Sequence, residues 1–231
     1  MKEEVSSALR KASYELGVPL TSHGPYYINL NAREQDKIDS SVERIIQTAK
    51  ISDLCGAESM TFHAAFYMKD SPYDVFDLVE KSMNVIEERL SRLDIEIELR
   101  PELTGKTSQF GSLEELITLT KNVMSVKPCI DFSHLYARTG EYNSYQEMVD
   151  VLDKLETELG ADALSNMHIH VSGISSNSKG DLKHLNLEKS DFNWKAMLEA
   201  LKAKNCKGYI ISNSPNLEVD AKMLKDYYIA L

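Results

Sequence analysis

The chain lacks a long apolar run, a paired set of cysteines and any excess of positive charge, and each absence removes a class of protein. No stretch of the 231 residues approaches the roughly 18 uncharged apolar positions that a spanning helix needs, so the pattern excludes a helical membrane protein. The opening residues, Met1-Lys2-Glu3-Glu4-Val5, hold no apolar signal core, which argues against export. Three cysteines, Cys55, Cys129 and Cys206, are odd in number, far apart and without a Cys-x-x-Cys spacing. They fit free, mostly buried thiols in a reducing cytoplasm and not a disulfide framework. The formal net charge of −10 speaks against a generic nucleic-acid-binding surface, which is usually basic. That objection weakens if carboxylates converge on divalent cations, since three such ions would add about +6 locally.

What is present is an alternation of helix and strand patterns. With 42% hydrophobic residues the chain can bury a sizeable core, and one domain over residues 1–231 is the expectation. Apolar residues at helical spacing mark helices over 2–16, over 37–54, along Val75–Leu90, after the Ser112/Glu115 capping-box pair, along Met148–Leu159, over Trp194–Ala203 and at the C-terminus. Between them Val18–Ser22, Ala57–His63, Ile95–Leu99, Val126–Phe132, Met167–Val171 and Gly208–Ile211 read as strands. Strands that alternate with helices predict a parallel sheet covered by helices, an α/β architecture of the TIM (β/α) barrel kind. Six strands are two short of a closed barrel, and the chain opens on a helix where a barrel opens on a strand. The expectation is therefore a barrel lacking its first one or two strands, N-terminally truncated, with an exposed strand edge that favours association.

The six histidines are placed as catalytic groups of a parallel barrel are placed, at the C-terminal ends of strands. His23, His63 and His170 end or follow strands, His168 shares a strand face with His170, His134 follows Asp131, and His184 lies in the loop beyond. Glu102, Asp131 and Asp181 occupy matching positions. Imidazoles and carboxylates converging on one rim make a mixed nitrogen and oxygen donor set suited to zinc or manganese. Of His168 and His170 only one is expected to ligate directly, and His170 is nearer the strand end.

Five segments resemble the endonuclease IV family, the abasic-site endonucleases of the xylose-isomerase-like barrel superfamily. They are His23-Gly24-Pro25-Tyr26-Tyr27-Ile28-Asn29-Leu30, Thr61-Phe62-His63, Glu102-Leu103-Thr104-Gly105, Cys129-Ile130-Asp131-Phe132-Ser133-His134, and His168-Ile169-His170 with Asp181 and His184. The resemblance implies up to three zinc ions (Zn2+, with Mn2+ as the other candidate). His23 and His63 would hold one ion. Glu102 would bridge it to a second, held also by Asp131 and His170. His134, Asp181 and His184 would hold the third. It implies Glu102, Asp131 and His170 as catalytic residues, Tyr26 and Tyr27 as DNA-contacting, and double-stranded DNA with abasic lesions as partner, cleaved 5′ to the lesion by a metal-activated water. No membrane and no obligate protein partner is expected.

The chain departs from that pattern in three ways. Asn213, in Ile211-Ser212-Asn213-Ser214-Pro215, stands where the family has a ligand glutamate, so it is at most a weakened ligand. Asp181 and His184 are spaced Asp-x-x-His where better-known members have Asp-x-His. The strands expected here do not include the roughly two that open members of that family. Two other readings follow: a sugar isomerase or epimerase of the same superfamily, or a catalytically weak metal- or DNA-binding homologue.

Overall fold

A computed structural model describes residues 3–231, so Lys2, at the start of the first expected helix, lies outside the described residues. The chain divides into two compact units. The first holds the described residues through Glu102 together with Thr118–Lys127, the second Leu103–Ile117 and Pro128–Leu231.

In the first unit, helix α1 (Glu3–Leu16) leads to strand β1 (Leu20–His23), and α2 (Gln35–Cys55) to β2 (Ala57–Phe62). Helix α3 (Pro72–Arg92) then leads to β3 (Glu98–Pro101). Local chemistry sets two of these helix boundaries. Gly56 caps α2 in the left-handed region at φ 79°, and Ser71 with Pro72 opens α3, the serine side chain accepting the Asp74 N–H. The strands form a parallel sheet in the order β1-β2-β3. Register sets Ser59 beside Glu98, Thr61 beside Arg100 and His23 beside Thr61. Because strand side chains alternate, one face collects His23, Ser59, Thr61, His63, Glu98, Arg100 and Glu102, while Met60, Phe62 and Leu99 on the other are fully buried. The third strand lies later than its apolar alternation suggested. Ile95 and Ile97 precede it, since hydrogen bonding to β2 begins at Glu98.

In the second unit, α4 (Leu113–Asn122) begins as the capping-box spacing predicted, with Glu115 accepting from Ser112 N–H and the Ser112 hydroxyl accepting the Glu115 N–H. Its second half, from Thr118 on, belongs to the first unit. Strand β4 (Cys129–Asp131) is shorter than the expected Val126–Phe132. Val126 makes a single parallel bridge to Leu99, and Phe132 opens an unexpected helix, α5 (Phe132–Thr139). The chain continues through α6 (Tyr145–Leu159), the single turn α7 (Asp162–Ser165) and β5 (Met167–Val171). A hairpin of β6 (Gly173–Asn177) and β7 (Gly180–Leu185) replaces the expected loop around Asp181 and His184. After a 3-10 turn come α8 (Trp194–Ala203), β8 (Gly208–Ser212) and α9 (Glu218–Ala230). Strands β4, β5 and β8 form a second parallel sheet in that order. Six parallel strands are thus found among the described residues, the number the pattern predicted. No helix among them is long and apolar enough to cross a membrane. The three cysteines are unbridged, Cys55 and Cys129 buried and Cys206 partly so.

Candidate metal centre

In the first unit the three expected ligands meet. His23 ends β1, His63 follows β2, and Glu102, 2% exposed, follows β3 with its N–H bonded to the Phe62 carbonyl at 3.0 Å. Gly24 extends β1 by donating to the Thr61 carbonyl at 2.7 Å. A Cβ there would press on Ile28, Met60 and Phe62 at 3.0 Å, which is why the residue after the histidine is glycine. Glu102 Oε2 lies 3.1 Å from His23 Nε2, 3.5 Å from His63 Nε2 and 3.4 Å from the Thr61 hydroxyl. His23 Nδ1 faces the Gly24 carbonyl at 2.6 Å. A carbonyl only accepts, so that nitrogen carries the proton and Nε2 turns a lone pair toward the carboxylate. Lone pair against carboxylate is repulsive unless a cation or proton sits between them, and fixing Nδ1–H on a carbonyl is how metal-ligating histidines are oriented.

Beneath the rim, Glu98 anchors the buried Arg100, at 2.5 Å from its Nη2, and the Lys127 ammonium. Burial pushes the Glu98 carboxyl up, but Lys127 and Arg100 outweigh it and hold it below its ordinary range.

In the second unit Asp131 is fully buried and divided in role. Its Oδ1 caps α5 by accepting the His134 N–H at 2.8 Å. Its Oδ2 has no hydrogen-bond partner among the described residues and lies 3.4 Å from His134 Nδ1. A buried carboxylate oxygen left this way is what a cation site needs. His134 Nδ1 donates to the Leu103 carbonyl at 3.0 Å, and His184 Nδ1 to the Asn213 carbonyl at 3.1 Å. Both Nε2 atoms therefore present lone pairs, and they face each other at 3.2 Å. That contact too calls for a shared cation or a proton. The donors fit a borderline divalent ion such as zinc.

Asp181 and His184 both lie on β7 and are half-buried, while Leu182, between them, is 60% exposed. Residues three apart on a regular strand point to opposite faces. The register of β6 with β7 skips Leu182: Ser175 pairs with Lys183 and Ser176 with Asp181. This bulge absorbs one residue and returns Asp181 and His184 to the same side, which accounts for the longer Asp-x-x-His spacing. Asp181 nevertheless packs on Gly105, where a Cβ would meet its Oδ1 at 2.6 Å, and it joins no three-ligand group among the described residues. The Thr104-Gly105 segment is glycine at this point because the hairpin approaches it backbone to backbone. The Gly105 carbonyl would also collide with a side chain at Gly180, whose φ is +101°.

His168 and His170 are both buried on β5, with Nε2 atoms 3.1 Å apart. His170 stands beside Asp131 in register, and its Nδ1 lies 3.1 Å from the Asn213 side-chain amide. Tyr26 and Tyr27 are 74% and 82% exposed, and the Tyr26 ring sits 5.2 Å from that of His23 and 5.7 Å from that of His63.

Two supporting residues gave no signal in the sequence. Arg138, one turn after His134, donates to the carbonyls of Thr104, Lys106 and Gln109 and to the Thr104 hydroxyl, fixing the loop that supplies the Leu103 carbonyl. Asp220, 2% exposed, accepts from Leu187 N–H at 2.7 Å and Asn216 at 2.8 Å. Burial raises its carboxyl, yet the nearby Ser214 side chain and the hydrogen bonds from Leu187 and Asn216 together bring it below the ordinary value. An arginine on an unrecognised helix and an aspartate on a surface-like helix look like solvated charges until their partners are placed.

Comparison with known proteins agrees with this architecture. An uncharacterized protein of Methanocaldococcus jannaschii is 40% identical over 229 residues, covering 99% of this chain and 82% of that protein. A probable endonuclease 4 of the Aster yellows witches'-broom phytoplasma is 25% identical over 186 residues, covering 79% of this chain but only 62% of its own length. Among solved structures, a D-tagatose 3-epimerase-like protein has a TM-score of 0.77 at 16% identity, with 99% of this chain and 84% of that one covered. Endonuclease IV from Thermus thermophilus has a TM-score of 0.72 at 22% identity, with 99% and 82% covered. Such identities speak to the fold alone. The profile of the xylose isomerase-like TIM barrel family matches residues 1–227, and the chain belongs to that family.

Proposed function

We propose that this chain is a zinc-dependent phosphodiesterase of the endonuclease IV kind, acting in the cytoplasm on duplex DNA at abasic sites. The observation that carries the reading is the repeated histidine geometry. His23, His134 and His184 each fix Nδ1–H on a backbone carbonyl and turn Nε2 toward another ligand atom. His23, His63 and Glu102 would hold one ion in the first unit. In the second, Asp131, His134, His170 and His184 would hold the rest, with Asp181 brought to the His184 side by the β7 bulge.

When bound, divalent cations supply an acidified water and neutralise charge on the phosphate. The chain's own residues orient and select. Exposed Tyr26, beside His23 and His63, and its neighbour Tyr27 offer aromatic faces to stack where the missing base leaves a gap in the duplex. Glu102 in the first unit and Asp131 in the second, each buried and acceptor-only when ionised, restrict their own sites to cations. The choice of DNA over a sugar rests on the Cys129–His134 signature and the endonuclease-named relatives, both compatible with the shared fold.

The test is incubation with a duplex bearing one abasic analogue, with and without chelator. A chelator-sensitive nick 5′ to the lesion is expected, and Asn213→Glu should raise its rate about ten-fold or more by restoring a charged donor. No nick in either protein, or turnover of a ketose instead, would overturn the proposal.

A further inference from the structure

Strands β4 and β5 carry a second donor set, one rung below Asp131 and His170. Their parallel register puts Cys129 beside His168 and Asp131 beside His170, and the two-residue strand period turns all four to one face. Cys129, His168 and His170 are 0%, 1% and 3% exposed. The Cys129 Sγ and one ring nitrogen of each histidine lie within 4.8 Å of one another, and the two Nε2 atoms are 3.1 Å apart. Asn213 meets His170 on the far side of the ring, 3.1 Å from Nδ1. Rotation of that amide about its terminal bond places Oδ1 where it accepts Nδ1–H, which leaves the His170 Nε2 lone pair directed at His168.

We propose that Cys129, His168 and His170 form a sulfur–imidazole metal site, separate in donor chemistry from the carboxylate-bearing sets, which takes a thiophilic cation. Asn213 is its positioning residue. A tetrahedral ion with metal–nitrogen bonds of about 2.0–2.1 Å sets two nitrogen donors about 3.3 Å apart, close to the Nε2 separation observed. The thiolate completes the set, because soft sulfur selects zinc, cadmium or cuprous copper over magnesium or manganese. On binding, the Cys129 thiol loses its proton to solvent as the sulfur–metal bond forms, and no redox partner is needed. His170 has one nitrogen available once Nδ1 is held, so an ion on this rung takes the imidazole from Asp131. Thiophilic ions then compete with whatever the carboxylate rung holds.

The test reads binding and not DNA cleavage, so its outcome is independent of the proposed activity. Metal-free Cys55→Ala/Cys206→Ala protein, in which Cys129 is the one remaining thiol, is titrated with cadmium(II). Ultraviolet thiolate-to-metal charge transfer is followed, with metal analysis of the desalted protein. A band saturating at one thiolate per chain is expected. It should be lost in Cys129→Ser, with cadmium binding weakened about ten-fold or more in His168→Gln. Bound cadmium without the band, or no bound cadmium, overturns the site. Should the double variant fail to fold, Cys55→Ala and Cys206→Ala are titrated singly. Each must keep the full band, and its disappearance from either assigns the thiolate elsewhere and overturns the proposal.

Discussion

Adding zinc to metal-free protein should raise its melting temperature, and the structure sets both the size of the shift and the substitutions that abolish it. His134 and His184 face each other through Nε2 atoms 3.2 Å apart, and His23 Nε2 faces Glu102 Oε2 at 3.1 Å. Both contacts need a proton or a cation between their facing atoms, and a divalent ion satisfies them with metal–ligand bonds. Zinc at a hundred times its dissociation constant stabilises the folded state by about 2.7 kcal/mol per site. For a chain of this size melting as a whole, 1 kcal/mol moves the midpoint by about 2–4 °C, so each set should lift the chain's midpoint by about 5–11 °C. His184→Ala should erase the share of the shift due to the His134/His184 set and His63→Ala that due to the His23/His63/Glu102 set, read by scanning calorimetry with and without chelator. A wild-type shift below about 1 °C, or equal shifts in wild type and both variants, would refute the reasoning.

Other expectations follow from the supporting structure. Asp220→Ala strands the Leu187 N–H and the Asn216 side chain, and should cost about 2–4 kcal/mol in a denaturant titration; a loss under about 0.5 would sink that account. Glu147 is drawn from its ordinary 4.5 to about 2 by the Ser144 hydroxyl and then by the N–H groups of Tyr142, Ser144 and Asn143. Because its folded value is depressed, its contribution to α6 is present in full above pH 4.5 and disappears as pH falls through about 2. Carboxyl NMR titration measures this, and Glu147→Gln should remove the dependence. Deleting Leu182 removes the β7 bulge yet keeps Asp181 and the following histidine on one face, so the zinc shift should survive; its disappearance would discredit the bulge explanation.

Much of the fold was legible because it depends on local periodicity. Helices α2, α3, α6 and α8 announce their buried faces at helical spacing, and the Ser112/Glu115 pair marks the start of α4. Local pattern failed where a long-range partner decides. Strand β3 shifted toward Pro101 because β2 sets which residues pair, and β4 stops at Asp131 because that side chain turns inward to cap α5. The β6–β7 hairpin carries polar residues on both faces and a bulge, so neither alternation nor a tight-turn dipeptide reveals it.

The sequence by itself determined the α/β class, the count of six parallel strands and the identity of the imidazoles and carboxylates at strand ends, since each is written in the spacing of apolar residues and in residue chemistry. Only the tertiary structure decided which nitrogen of His23, His134 and His184 meets a backbone carbonyl, that Asp131 divides its two oxygens between the α5 cap and the His134 side chain, and that Asn213 meets His170. The His134, His184 and Asn213 contacts depend on carbonyls and amides contributed by residues tens of positions away, as Leu103 is to His134 and Asn213 to His184, and no local pattern encodes a hydrogen bond across that separation.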